Sequence, residues 1–155
     1  MRQEGMFGLL VGDVMKELRS AGVVGSDAVA GRIVLAGHSG AYSVIDDILE
    51  HGGREVSEVF LFDALYGRLD GFTRWAEDGK HHFVHWFTNT GYGPDKVSDT
   101  MMERLRKDGV DYGLVEEGTV DGDVVKKNRV LFVHSLREHN VIINDPDDFG
   151  LLLGK

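Results

Sequence analysis

The amino-acid sequence predicts an α/β fold, with a small, mostly parallel sheet of about four strands and helices on both faces. Three observations predict it. Short apolar runs alternate along the chain with segments whose apolar residues recur every three or four positions. The runs carry almost no polar alternation, as expected of strands covered on both sides. Glycine and short polar clusters separate the segments, and the chain has 21 glycines but only two prolines. With 155 residues and no repeat, low-complexity tract or linker, the chain reads as a single domain.

The elements follow in order. Phe7, Leu10, Val11, Val14, Met15 and Leu18 fall on one face of a helix that stops near Gly22. Ile33 to Ala36 forms a strand, followed by a helix that buries Val44, Ile45, Ile48 and Leu49 and ends at Gly52-Gly53. Val56 to Phe62 is the next strand, with Asp63 at its carboxyl end, and Phe72 to Glu77 is a short helix. His82 to Thr88, rich in aromatics and valine, is a third strand. Pro94-Asp95 opens a helix through Val97, Met101 and Leu105 to Gly109, because proline suits the first helical turn. Residues 110–128 are acidic, glycine-rich and weakly periodic, and no element is assigned to them. Arg129 to His134 is a fourth strand, and Asp145-Pro146 begins a last helix over Phe149, Leu151, Leu152 and Leu153. Right-handed crossovers place every strand's carboxyl end on one rim, where open α/β sheets bind ligands.

Composition narrows the function classes. A net charge of −9 disfavours nucleic acid and anionic lipid, both of which need a basic surface. No apolar run approaches the roughly 20 residues that span a bilayer, and Met1-Arg2-Gln3-Glu4-Gly5 lacks the apolar core of a secretory signal. Cytoplasm is the expected compartment. The absence of cysteine removes disulfides, thiolate nucleophiles and cysteine zinc sites.

The segment with most chemical content is Gly31-Arg32-Ile33-Val34-Leu35-Ala36-Gly37-His38-Ser39-Gly40-Ala41. A strand runs into a small-residue turn with a serine at its tip, and a helix follows at once. Such a turn exposes a hydroxyl in a strained backbone conformation and aims the first helical N–H groups at the reacting atom. A helix N-cap is the competing role for Ser39, and a phosphate-binding glycine turn is a poorer one because the third glycine is absent. Gly37-His38-Ser39-Gly40-Ala41 resembles the nucleophile elbow of the α/β-hydrolases, Gly-x-Ser-x-Gly, with alanine in the last place.

The resemblance implies a serine, acid, histidine order along the chain, met here by Ser39, Asp63 and His139. Ser39 would be the nucleophile and His139, on the loop after the fourth strand, its base. Asp63 would fix the imidazole tautomer, and the Gly40 N–H would receive the oxyanion. His134 is the rival base and Asp70 the weaker alternative acid. Family members often carry the acid one strand later, but Thr88-Asn89-Thr90-Gly91 offers no carboxylate there, so the placement resembles that of some lipases. Set against the family, the chain matches the helix before the elbow strand and everything after it. The first strands and the loop bearing the second oxyanion N–H have no counterpart, which implies slow turnover. The elbow strand is then an exposed edge, and the expected state is a dimer or higher homo-oligomer.

Other clusters read as structural. His81, His82 and His85 tempt a zinc assignment, but His82 and His85 point to opposite faces of a strand, and His81 and His85 lie about 13 Å apart. Asn144-Asp145-Pro146-Asp147-Asp148 lacks calcium-loop spacing and reads as a helix cap, and Asp121-Gly122-Asp123 as a turn. His38, Tyr42 and Tyr66 are candidates to line a substrate pocket, with Phe72, Trp75 and Tyr92 near the same rim. The expected protein is therefore a serine hydrolase for small carboxylic esters that needs neither cofactor nor metal. The alternatives are a non-catalytic oligomerising or ligand-binding module on the same fold, and one piece of a longer or two-chain hydrolase.

Overall fold

The computed structural model describes residues 3–89, 93–144 and 146–154. The chain forms a five-stranded, all-parallel sheet: β1 (Val34–His38), β2 (Glu58–Phe62), β3 (His82–Thr88), β4 (Gly113–Glu116) and β5 (Val130–Ser135), in spatial order β1-β2-β3-β5-β4. The helices are α1 (Met6–Ser20), α2 (Tyr42–His51), α3 (Leu69–Glu77), α4 (Pro94–Lys107), α5 (Gly122–Lys127) and α6 (Pro146–Leu153). The α/β class and the four expected strands stand. The fifth, β4, lies in the acidic stretch that carries no clear period, because four residues with only Leu114 and Val115 apolar give too short a pattern to register.

Helices cover both faces. Phe7, Ile45, Ile48, Phe72, Met101 and Leu105, from α1 to α4, pack on Val59, Leu61, Phe83 and Phe132. Val125 of α5, Leu152 of α6 and Ile142 pack on Phe60, Phe62, Val84, Trp86 and Leu131 from the other side. The division follows from topology. The chain steps from β1 to β2 to β3 and on to β4 with its helices on one face, then turns back to insert β5 between β3 and β4. A right-handed crossover that reverses direction must cross on the opposite face, and α5 does.

The chain leaves β3 toward α4 on one face and leaves β5 toward α6 on the other. Open α/β sheets bind ligands at the carboxyl ends of their strands, and the loop after β5 runs back along that rim to the ends of β1 and β2. The two sheet edges differ. β4 is short and ends on Glu116, with Glu117 next. β1 contains no lysine, arginine, aspartate or glutamate, and α1, which packs on α2, leaves Leu9, Leu10 and Val14 exposed. No helix among the described residues is long and apolar enough to cross a membrane.

Candidate active site

The elbow forms where β1 meets α2. Ser39 follows the last residue of β1 and opens a 3-10 turn, Ser39–Ala41, that runs directly into α2. Its φ of 54° lies in the left-handed region, which non-glycine residues adopt at a cost of about 1 kcal/mol or more. The neighbours are small for a steric reason. A Cβ at Gly37 would stand 2.7 Å from the Ala41 Cβ and 2.7 Å from Ile45 Cδ1, so Gly37 lets the helix close onto the strand. Gly40 sits in the first turn, where backbone N–H groups have no acceptor within the helix.

Asp63 stands one strand over. His38 pairs with Phe62 in the β1–β2 register, so Ser39 and Asp63 leave adjacent strands at the same level. Asp63 also has positive φ, 44°, and is fully buried. A buried carboxylate needs hydrogen-bond donors, and three surround it. The Thr88 backbone N–H donates to Oδ1 (2.9 Å), and the Thr88 hydroxyl donates to Oδ2 (2.9 Å). His139 Nδ1–H donates to Oδ2 at 2.6 Å. Because the carboxylate accepts, the imidazole proton is on Nδ1 and Nε2 is the basic nitrogen.

His139 arrives on the loop after β5, which must travel back across β3, roughly 10 Å at the usual strand spacing. The loop is tied at several points. Ile142 is fully buried. Arg137 pairs with Glu117 (3.2 Å) and Asp148 (3.0 Å). His38 Nε2–H donates to the His139 carbonyl (2.8 Å), with the two rings 4.5 Å apart. His38 therefore links the elbow to the base. Tyr66 closes the other side, its ring edge-on to His139 (6.0 Å) and its hydroxyl 3.2 Å from Nδ1. Burial, and then the Asp63 charge, push the Tyr66 phenol above its ordinary pKa, so it stays protonated. Among the described residues no hydrogen bond occupies His139 Nε2 or the Ser39 hydroxyl.

The structure thus brings Ser39, Gly40, Asp63 and His139 to one rim. The rivals lie elsewhere. His134 pairs with Glu116 (2.9 Å) at the β4 edge, and exposed Asp70 pairs with Arg104. His81 stacks on Trp75 (4.6 Å) and pairs with Asp78 (2.7 Å), His82 pairs with Glu58 (2.8 Å), and His85 is buried under α4. No group of three metal-ligating side chains converges among the described residues. A cavity of about 420 Å³ flanks the elbow, lined by Ala36, Gly37, His38, Phe62, Ile142, Ile143 and Phe149. Of the three expected pocket side chains, His38 lines it. Tyr42 and Tyr66 instead pack against each other (6.1 Å). Phe72 is core, Trp75 covers His81, and Tyr92 lies outside the described residues. Sequence reasoning missed Thr88 as a partner of Asp63, although a threonine closing the neighbouring parallel strand was a usable signal.

No family model matches the chain, nor does any curated protein or solved structure. The functional argument therefore rests on the geometry of this rim.

Proposed function

We propose that the chain is a serine hydrolase of small carboxylic esters. One observation carries the reading: a buried carboxylate holds an imidazole by Nδ1, leaving Nε2 unengaged, at the rim where a positive-φ serine tops a strand-to-helix turn. In this mechanism His139 Nε2 takes the Ser39 hydroxyl proton as Oγ bonds to the ester carbonyl carbon. The carbonyl oxygen becomes an oxyanion and accepts the Gly40 N–H. Collapse breaks the bond to the alcohol oxygen, which leaves with the proton from Nε2. Water, deprotonated by the same nitrogen, then frees the acid and restores Ser39. Asp63 stabilises the imidazolium without itself taking the proton. Catalytic hydrogen bonds often tighten only when substrate is bound, so an unengaged Ser39 suits a resting site. With Gly40 as the one oxyanion donor assigned among the described residues, turnover is expected to be about 10²–10³-fold below that of a site with two.

A fluorophosphonate probe tests the reading. Labelling at Ser39 that disappears in Ser39→Ala supports it, and a folded protein that is not labelled overturns it.

A second reading, a non-catalytic module that assembles through the same fold, has its own observation in the β1 edge. Leu9, Leu10 and Val14 of α1 are 64, 47 and 49 % exposed, and β1 is an edge strand without proline, lysine or a bulge. We propose that a second copy pairs there. A two-fold axis perpendicular to the sheet and midway between β1 and its mate, level with Ala36, sets the two strands antiparallel and brings the exposed apolar residues of the two α1 helices to the same side of the seam. Light scattering should give a dimer that Leu10→Glu dissociates. A folded monomer at micromolar concentration rejects the assembly. Esterase activity no higher than that of Ser39→Ala would leave the module reading in place of the hydrolase.

A further inference from the structure

The cavity beside the elbow is the only one of those described that touches the candidate triad's rim, and most of the side chains that line it are apolar. Ala36, Phe62, Ile142, Ile143 and Phe149 supply apolar side chains, and His38 is the one polar side chain of the lining. Its floor is rigid, since Phe62 stacks on fully buried Trp86 (5.5 Å) and Ile142 is fully buried. Its upper wall is not core: Ile143 and Phe149 are 49 and 43 % exposed. Large apolar side chains left half-open around a concavity mark a surface built for an apolar guest.

We infer that this cavity is the acyl-chain site of the hydrolase, and that the chain prefers esters of medium-length straight acids over acetates. The inference rests on the serine-hydrolase reading. Gly37 and His38 line the cavity and Ser39 comes next in the chain, which puts the cavity within reach of the alkyl tail of an acyl group on Ser39 Oγ. A charged tail would lose water there against five apolar side chains. Each methylene that enters gains up to about fourfold in kcat/KM.

The test compares p-nitrophenyl hexanoate with the acetate. The expected ratio of kcat/KM is about tenfold or more in the native chain. Ala36→Trp, which fills the cavity from the edge strand, and Ile143→Trp, which fills it from the loop, should each bring the ratio near one. Ser39-dependent acetate hydrolysis with a native ratio near one overturns the inference and leaves the hydrolase reading intact. A binding measurement separates the opposite case. In Ser39→Ala, ethyl hexanoate should shift the methyl resonances of Ile142 and Ile143, and Ala36→Trp should abolish the shift. That shift without turnover on any ester keeps the apolar-ligand site and overturns the hydrolase. Neither shift nor chain-length preference overturns the site.

Discussion

Two carboxylate–imidazole pairs sit at opposite rims of the same sheet, and they are built from nearly the same parts. At the carboxyl rim Asp63 holds His139 at 2.6 Å; at the amino rim Glu58 holds His82 at 2.8 Å. Both carboxylates are buried and both bind Nδ1. They differ in what else each group touches. Arg32 sits 2.8 Å from Glu58 and neutralises it, and His82 Nε2 lies within 3.3 Å of the Val125 and Asn128 carbonyls. Both nitrogens of that imidazole are engaged, Nδ1 on Glu58 of β2 and Nε2 on the carbonyls at the end of α5. His139 Nε2 is spent on nothing among the described residues, and no cation neutralises Asp63 except the imidazolium that forms in the proposed mechanism. The chemical potential of such a pair lies in the nitrogen it leaves free.

The sharpest way to break this contrast is to remove one negative charge from each pair. Asp63→Asn should lower esterase kcat/KM by about 10³–10⁴-fold, because the amide can donate to Nδ1 and so select the wrong tautomer. Its fold should persist, since Thr88 still donates to the amide oxygen. Steady-state kinetics alongside circular dichroism checks both halves. A loss under tenfold would place Asp63 outside the mechanism.

A third imidazole, His85, sharpens the comparison because it has no carboxylate. It is fully buried, its Nδ1–H donates to the Leu61 carbonyl (3.2 Å), and its Nε2 has no hydrogen-bond partner among the described residues. Burial, opposed by the Leu61 hydrogen bond and the Asp63 charge, lowers its pKa to about 4. The unfolded chain binds a proton near pH 6.5, while the folded chain binds it only near pH 4. This contribution to stability is therefore complete above pH 6.5 and is lost as pH falls toward 4, about 3 kcal/mol in all. Urea unfolding at pH 7, 5.5 and 4 should show the decline, and His85→Leu should flatten it.

Glu58→Gln is the smaller structural counterpart of Asp63→Asn. It leaves Arg32 and His82 without their anion at a partly open rim and should cost about 2 kcal/mol of stability. Esterase kcat/KM at 25 °C should stay within about twofold. A large loss of activity in a folded Glu58→Gln would erase the distinction between the two rims.

How far the sequence reveals these features depends on how local each signal is. The elbow was legible because its glycine, serine and small residues are adjacent, and each answers to a steric demand of one turn. Asp63 and His139 were legible as groups at strand ends, since parallel topology sends all such ends to one rim. Their contact was an expectation of the resemblance alone, because on the residues themselves it depends on which strand β5 adjoins and on the path of a loop. β4 itself was too short to show a period. The cavity was invisible because its lining comes from β1, β2, the loop after β5 and α6, four segments that share no spacing. Tyr42 and Tyr66 drew attention as aromatics near the rim, yet aromatic content cannot say which side of the elbow stays open.

Tyr66 offers the smallest and most discriminating effect. Its hydroxyl is 3.2 Å from His139 Nδ1, and Asp63 Oδ2 is closer at 2.6 Å. Nδ1 carries one proton in either charge state once Asp63 is ionised, and the shorter contact claims it. The phenol cannot donate to a protonated nitrogen, so its oxygen accepts a minor share and its ring does the rest by packing edge-on against the imidazole. Tyr66→Phe keeps the ring and should lower kcat/KM by no more than about threefold, in line with one weak neutral hydrogen bond. Tyr66→Ala removes the wall that holds the imidazole and should cost about tenfold or more. Were the tyrosine instead donating to a bare Nδ1, Asp63 Oδ2 would have to carry the proton. Tyr66→Phe would then fall toward the level of Asp63→Asn, and the free nitrogen that distinguishes this rim from the other would be the wrong one for a base.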